Sequence, residues 1–178
     1  MRIDLSAGAE LRDLTEADAD ELHALVEANR SHLAPWLPWA AGQQAEGTLN
    51  YLRRTAEKRE RGEALDCAIV VRGRIAGCAG FALIEPPARV GVVGYWLAEE
   101  HEGRGLVTRA VSALIDHGFS ELNLHRVEIR AATNNARSRA VPERLGFTQE
   151  GVLREADVVG DEYVDLVVYG LLATDPGS

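Results

Sequence analysis

The spacing of apolar residues changes along the chain, and each change predicts a different kind of element. Over residues 16–30 the apolar side chains recur every three or four positions, which predicts a helix. A second helix is predicted over residues 46–63. Between the two, Leu33–Trp39 contains two prolines, which cannot continue a helix, so an aromatic loop is predicted there.

From residue 66 onward, β-branched and alternating stretches interrupt the helical spacing. Strands are predicted at residues 10–12, 66–71, 75–84, 90–98, 126–132, 147–157 and 163–172, and two further helices at residues 103–119 and 135–145. This order predicts an α/β (α+β) fold in a single domain over residues 1–178. We expect a mixed, mostly antiparallel sheet of about seven strands, flanked by about four helices.

Composition and charge narrow the classes of function. Of the 178 residues, 46% are hydrophobic and 26% are charged, as in soluble globular proteins. The net charge of −9 argues against nucleic acid as a partner and favours cationic acceptors such as amines. No apolar run reaches the roughly 18–20 residues of a membrane helix. With only two cysteines, Cys67 and Cys78, we expect a cytoplasmic protein without a membrane partner.

Two glycines stand directly before the strongest predicted helix, in the stretch Glu102–Thr108. Helix N-termini present unpaired N–H groups and a partial positive charge, and glycines let a phosphate approach the backbone closely. Gly103, Arg104 and Gly105 therefore predict a pyrophosphate cradle, unless the glycines serve only a tight turn. Neither of the two common phosphate motifs matches: no Gly-Lys-Ser/Thr is present, and Thr108 stands where a dinucleotide fingerprint needs its third glycine.

A second polar stretch opens the helix predicted at residues 135–145. Asn135 is suited to cap this helix, and Ser138 falls in its first turn. Pro142 has no N–H, so the carbonyl of Ser138 loses its usual helical partner. Either this turn is shaped for a function, or the fold simply tolerates the loss.

In this order along the chain, the two stretches resemble the GNAT superfamily of acyl-CoA-dependent N-acyltransferases. Gly103–Leu106 resembles that family's Gln/Arg-x-x-Gly-x-Gly/Ala signature. Asn135-x-x-Ser138, followed by Leu145-Gly-Phe147, is similar to the RimJ/RimL branch and to its YdaF-type members. That branch acetylates protein N-termini, notably those of ribosomal proteins.

The aromatic segment 33–39 and residues 160–165 extend the resemblance to nearly the whole chain. Two positions depart from the signature. Glu102 replaces Gln or Arg, and Val107 replaces a small residue. An acidic side chain beside a pyrophosphate is unfavourable, so we expect Glu102 to point away from it.

The resemblance implies a splayed sheet, in which strands 90–98 and 126–132 part at one end. It further implies that the pantetheine arm of acetyl-CoA lies in the gap as an extra strand would. The cofactor contacts that it implies are Trp96, Leu97, Ala98, Gly103, Arg104, Gly105, Leu106, Val107, Thr108, Asn135 and Ser138. The branch also implies a protein N-terminus as acceptor and pairing into a homodimer.

The implied reaction is direct attack of an amine on the acetyl-CoA carbonyl, and it needs a group that protonates or hydrogen-bonds the leaving thiolate. The branch places a serine where many GNAT members use a tyrosine, so Ser138 is the first candidate. The alternative is that Ser138 only caps a helix. Tyr95 and Tyr169 are other candidates for the same task, although both also suit a core.

The amine must be neutral to attack, so a base is also needed. The resemblance suggests Asp157 for this role, unless Asp157 is only a turn residue before Gly160, and Glu85 and His125 are rivals. Trp36 and Trp39 either wall the acceptor pocket or pack against the sheet. The five histidines show no ligand spacing with acidic or cysteine partners, so no metal is expected.

Three functions remain open from the sequence. The first is acetylation of protein N-terminal α-amines, and the second is acetylation of a small amine such as an antibiotic or polyamine. The third is an acyl-CoA sensor without turnover, which the departures at Glu102 and Val107 and the serine at position 138 keep open.

Overall fold

The computed structural model describes residues 1–175 and contains one eight-stranded sheet with helices on both faces. The strands are β1 (Arg2–Ser6), β2 (Ala9–Asp13), β3 (Leu65–Val71), β4 (Arg74–Glu85), β5 (Val90–Leu97), β6 (Arg126–Ala132), β7 (Thr148–Val159) and β8 (Glu162–Leu172). The α-helices are α1 (Ala19–Ala28), α2 (Arg30–Leu33), α3 (Pro38–Ala41), α4 (Ala45–Glu60), α5 (Leu106–Ser120) and α6 (Ala136–Arg144). None of the helices within residues 1–175 is long and apolar enough to cross a membrane.

The strands follow the spatial order β1-β2-β3-β4-β5-β6-β8-β7, and β5 and β6 form the one parallel pair of the described sheet. This pair is short: Val90–Val93 of β5 align with Arg126–Ile129 of β6. Beyond that point β5 stays paired with β4 as far as Leu97, and β6 stays paired with β8 as far as Ala132. The two strands therefore part, which confirms the predicted mixed, mostly antiparallel and splayed sheet.

Helices cover the two faces of the sheet in separate groups. On one face, α5 and α6 pack against the larger core cluster, which contains Leu114 of α5 and Val141 of α6. On the other face, α1 and α4 cover a second cluster through Leu22 and Leu52. Trp96 of β5 packs on this second face, so it lies opposite the core formed with α5 and α6.

The sequence predictions undercounted the elements. The strand β1 was missed, although its apolar Ile3 and Leu5 alternate with polar residues and its register with β2 is regular over residues 2–4. The predicted aromatic loop contains the end of α2 and the start of α3. Pro38 is compatible with α3 because it stands at the start of the helix, where the missing N–H has no helical partner to lose.

Candidate active site

Beyond Val93 and Ile129, the backbone groups of β5 and β6 that face the gap form no hydrogen bonds with the other strand. The Ala98 N–H donates to the Ala76 carbonyl at 2.8 Å, so it faces β4. Because backbone groups alternate sides along a strand, those of Leu97 and Tyr95 turn toward the gap. Of the three predicted backbone contacts Trp96, Leu97 and Ala98, Leu97 is the one whose backbone groups face the gap, and those of Tyr95 face it as well.

The loop that follows β5 leads directly into α5 at the open end of the gap. Gly103 and Gly105 have φ angles of 72° and 68°, in the left-handed region that favours glycine. The helix predicted from Gly103 therefore begins only at Leu106. Its first N–H groups have no helical acceptor and form the positive end of the helix dipole. This end of the helix therefore suits a bound anion. Arg109 fixes the loop, because its guanidinium donates to the Arg104 carbonyl at 3.0 Å.

The acidic side chain at the start of this loop contacts two neighbouring side chains. Glu102 accepts a hydrogen bond from the guanidinium of Arg137 on α6, and the Nε2 atom of His32 on α2 lies 3.2 Å from its carboxylate. Glu102 is partly buried, whereas Arg137 is mostly exposed. The carboxylate thus links the loop to α2 and α6, and Arg137 offsets its charge. Val107, the other departure from the signature, packs against the larger core.

The first turn of α6 confirms the predicted Asn135 cap and shows which group pairs with the Ser138 carbonyl in place of the N–H that Pro142 lacks. The Asn135 Oδ1 atom accepts from the Ser138 N–H at 3.0 Å. The Ser138 carbonyl, which Pro142 leaves without a helical N–H, accepts from the Tyr95 hydroxyl at 2.8 Å. In turn, the Ser138 hydroxyl donates to the Tyr95 hydroxyl at 3.2 Å. Ser138 therefore lies against the stretch of β5 that lines the gap.

The two tyrosines that were alternative proton donors occupy different environments. Burial raises the pKa of Tyr95 to about 12, so its phenol stays protonated near neutral pH. Tyr169 is buried, and its hydroxyl donates to Glu143 at 2.8 Å and accepts from the Arg139 Nε at 3.0 Å. Of these two tyrosines, Tyr95 is the one that contacts Ser138.

Aromatic side chains gather on the opposite face of β5. The rings of Trp39 and Trp96 are 6.3 Å apart in an edge-to-face arrangement, while Trp36 and Trp39 remain 39% and 44% exposed. The guanidinium of Arg30 holds this segment by donating to the Ala41 carbonyl at 2.7 Å and the Gln43 carbonyl at 2.8 Å. Trp39 thus packs on the strand and still presents a surface beside the gap.

The three candidate bases fall at different ends of the sheet. Glu85 pairs with Val90, and His125 directly precedes β6, so both lie where β5 and β6 are still paired. Asp157 is exposed on β7 and pairs with Val164, just beyond the level at which β6 ends. Of the three, Asp157 is the one at the end of the sheet where the gap opens.

One titratable group on the aromatic face was not singled out from the sequence. Asp66 lies on β3, and burial raises the pKa of its carboxyl, partly offset by the neighbouring phenol of Tyr51 on α4. The sequence did hold a signal for this group, because Asp66 is the one acidic residue in the otherwise apolar strand β3. The partner of Glu102, Arg137, carried no comparable signal, because its role depends on the packing of α6.

Known proteins are similar to this chain in sequence and in fold. Residues 9–148 match the family model described as the acetyltransferase (GNAT) domain. The chain belongs to the GNAT acetyltransferase family. It is 35% identical over 164 residues to the protein YdaF of Bacillus subtilis (strain 168), which covers 91% of this chain and 90% of that one. It is 32% identical over 168 residues to the ribosomal-protein-serine acetyltransferase of Escherichia coli (strain K12), covering 94% of each.

A solved structure supports the same assignment. RimL, the ribosomal L7/L12 α-N-protein acetyltransferase in complex with coenzyme A, matches this fold with a TM-score of 0.93 at 29% identity, over 97% of this chain and 98% of that one. The resemblance inferred from the motifs is confirmed, including its RimL-like branch.

The site of this GNAT chain fits acetyl-CoA by its own geometry. The left-handed glycines expose backbone N–H groups to a diphosphate, and a Cβ added at Gly103 would have no heavy atom within 4 Å, so the loop surface there is open. The inner edge of β5 offers Leu97 to an extended amide-bearing arm. These residues would hold the cofactor, and Ser138 would lie beside its thioester end.

The ion pair between Glu102 and Arg137 should affect how tightly this GNAT enzyme binds acetyl-CoA. Arg137→Gln leaves a partly buried carboxylate beside the cofactor loop, and we expect the Kd for acetyl-CoA to rise about two- to five-fold. Glu102→Gln removes the repelling charge, so the Kd should stay equal or fall. Isothermal titration calorimetry at low and high salt measures both, and the differences should shrink at high salt.

The matched control for this test is Arg144→Gln, which removes an exposed arginine at the other end of α6. It should leave the Kd for acetyl-CoA unchanged. Equal Kd values for Arg137→Gln and Arg144→Gln would show that Glu102 does not act on the cofactor.

Proposed function

We propose that this GNAT enzyme transfers the acetyl group of acetyl-CoA to the N-terminal α-amine of a protein. The observation that carries this proposal is that β5 has two different faces: Ser138 contacts Tyr95 on one, and Trp39 packs against Trp96 on the other. Cofactor and acceptor can therefore meet through the gap from opposite sides. Relatives named for a ribosomal-protein serine and for the L7/L12 α-amine support a protein acceptor.

The chain's own residues divide the work of a direct transfer. Acetyl-CoA supplies an activated thioester, which the amine attacks. Gly103–Thr108 would hold its diphosphate through backbone N–H groups, and Leu97 would align its arm along β5. Asn135 fixes the turn that carries Ser138, whose hydroxyl donates to the leaving sulfur. Trp36 and Trp39, together with Trp96, wall the entry of the acceptor.

Asp157 serves as the base in this proposal, acting through water on the incoming ammonium. A protein α-amine has a pKa of about 7.7–8.0, against about 10.4 for lysine. A substantial fraction of such an amine is already neutral near pH 7.5, so an exposed carboxylate that acts through water is enough. This low demand is a reason to favour α-amines over lysine side chains as acceptors.

We further propose that the enzyme works in the cytoplasm, where ribosomal proteins are made, and that it pairs into a homodimer. The edge strand β7 supports pairing, because its side chains are largely exposed and include Val152, Leu153 and Val158. Edge strands with exposed apolar residues favour association with a second chain. Light scattering distinguishes a dimer from a monomer in solution.

The acceptor class is tested with peptides that differ only in their first residue. Peptides with a free N-terminus, above all Ser or Ala, should release the CoA thiol from acetyl-CoA. Nα-blocked peptides that contain lysine should not. Spermidine is included as a small amine, and acetyl-CoA binding is verified in the same samples.

Turnover with spermidine alone would overturn the protein-acceptor proposal in favour of a small amine. If no amine releases the CoA thiol although acetyl-CoA is bound, the protein would be an acyl-CoA sensor without turnover. Both outcomes contradict the proposed function, and the panel separates them.

The role of Asp157 is tested by Asp157→Asn, with Glu155→Gln on the same edge strand as the matched control. We expect kcat/KM at pH 7 to fall about 10- to 100-fold for Asp157→Asn, within the range for a lost general base. The deficit should narrow above about pH 8.5, because the α-amine then deprotonates without help. A deficit that is constant across pH, or shared by Glu155→Gln, would contradict the role.

A further inference from the structure

We propose that Tyr95 is the positioning residue of Ser138, and that Pro142 makes this possible by freeing the Ser138 carbonyl. The inference rests on the role proposed for Ser138 in the acetyl transfer. It assigns to one phenol on β5 the task of holding the serine hydroxyl over the gap.

A single oxygen atom makes both contacts to the serine. The Tyr95 hydroxyl donates to the Ser138 carbonyl at 2.8 Å and accepts from the Ser138 Oγ at 3.2 Å. A phenol has one proton to give and lone pairs to receive one, so both contacts form at once. Two-point attachment to the same residue fixes the orientation of that residue as well as its position.

The proline determines which group the carbonyl can meet. In an uninterrupted helix, the N–H of residue 142 would donate to the Ser138 carbonyl, and no strand residue would be needed. Pro142 is buried within α6 and has no N–H, so the carbonyl would stay unsatisfied without Tyr95. The Ser138 carbonyl thus loses its hydrogen bond within α6 and instead accepts one from the strand that lines the gap.

Every polar group of Ser138 is thereby engaged. Its N–H donates to Asn135, its carbonyl accepts from Tyr95, and its hydroxyl donates to the same phenol. When the hydroxyl turns its proton toward a leaving sulfur, the phenol can turn its own proton from the carbonyl to the Oγ atom and so keep that oxygen in place. Burial raises the pKa of Tyr95 to about 12, so the phenol remains a donor across the working pH range.

The test compares Tyr95→Phe, Pro142→Ala and the double variant in melting temperature, kcat and the KM for acetyl-CoA. Tyr95→Phe should lower the melting temperature by about 2–8 °C, because a carbonyl is left unpaired. It should also lower kcat about ten-fold or more, since a misplaced catalytic group costs rate, with less than a two-fold change in KM. Pro142→Ala restores a helical N–H to the Ser138 carbonyl.

The double variant separates structure from positioning. In Tyr95→Phe/Pro142→Ala the melting temperature should recover, because the backbone N–H restored at position 142 replaces the phenol as donor to the carbonyl. The kcat should stay low, because nothing replaces the phenol at the Ser138 Oγ. Recovery of kcat together with stability would overturn the inference and leave Tyr95 a purely structural role.

Ser138→Ala distinguishes failure of this inference from failure of the proposed function. If Tyr95 acts through Ser138, adding Tyr95→Phe to Ser138→Ala should cause no further loss of kcat. A further ten-fold loss would show that Tyr95 acts on some other group. A wild-type kcat for Ser138→Ala alone would instead overturn the role of the serine. Should Tyr95→Phe fail to fold, the double variant still gives the kcat comparison.

Discussion

The short parallel pairing between β5 and β6 is the constraint on which the site depends. A parallel pair needs a crossover connection, and here that connection is the glycine loop and α5. The crossover begins where β5 ends, which is the end at which the strands part. The N-terminus of α5 is therefore aimed at the mouth of the gap by topology alone. Since β4 and β8 hold the outer edges of β5 and β6, the gap stays open without a ligand.

The charge of the molecule acts at two scales. The net charge of −9 favours cationic acceptors over the whole surface, yet the cofactor of a GNAT enzyme is itself an anion. Local geometry resolves the conflict, because backbone N–H groups at the start of α5 provide positive potential that the net charge does not cancel. Glu102, the acidic departure from the family signature, is offset by Arg137, and His32 lies beside its carboxylate. The net charge thus favours a cationic acceptor, whereas the N–H groups at the start of α5 favour the anionic cofactor.

The sequence predicted the parts of the site that local rules determine. The glycine loop, the Asn135 cap and the orphaned Ser138 carbonyl follow from helix termini and from the missing N–H of Pro142. The partner of that carbonyl did not follow, because Tyr95 lies more than forty residues earlier and meets Ser138 only through packing of α6 on β5. The strand β1 and the short helices around the prolines were missed since each has few residues and draws its stability from tertiary contacts.

The register of β5 determines which side chains face α6 and which face the tryptophans. Side chains alternate along a strand, so the consecutive residues Tyr95 and Trp96 face the serine and the aromatic cluster respectively. A shift of one residue would exchange them and disable both faces together. The pairing with β4 enforces the register, because Gly77 lies under the Trp96 carbonyl, where an added Cβ would be only 2.3 Å away. A glycine outside the gap thereby fixes which side chain meets Ser138 and which packs with Trp39.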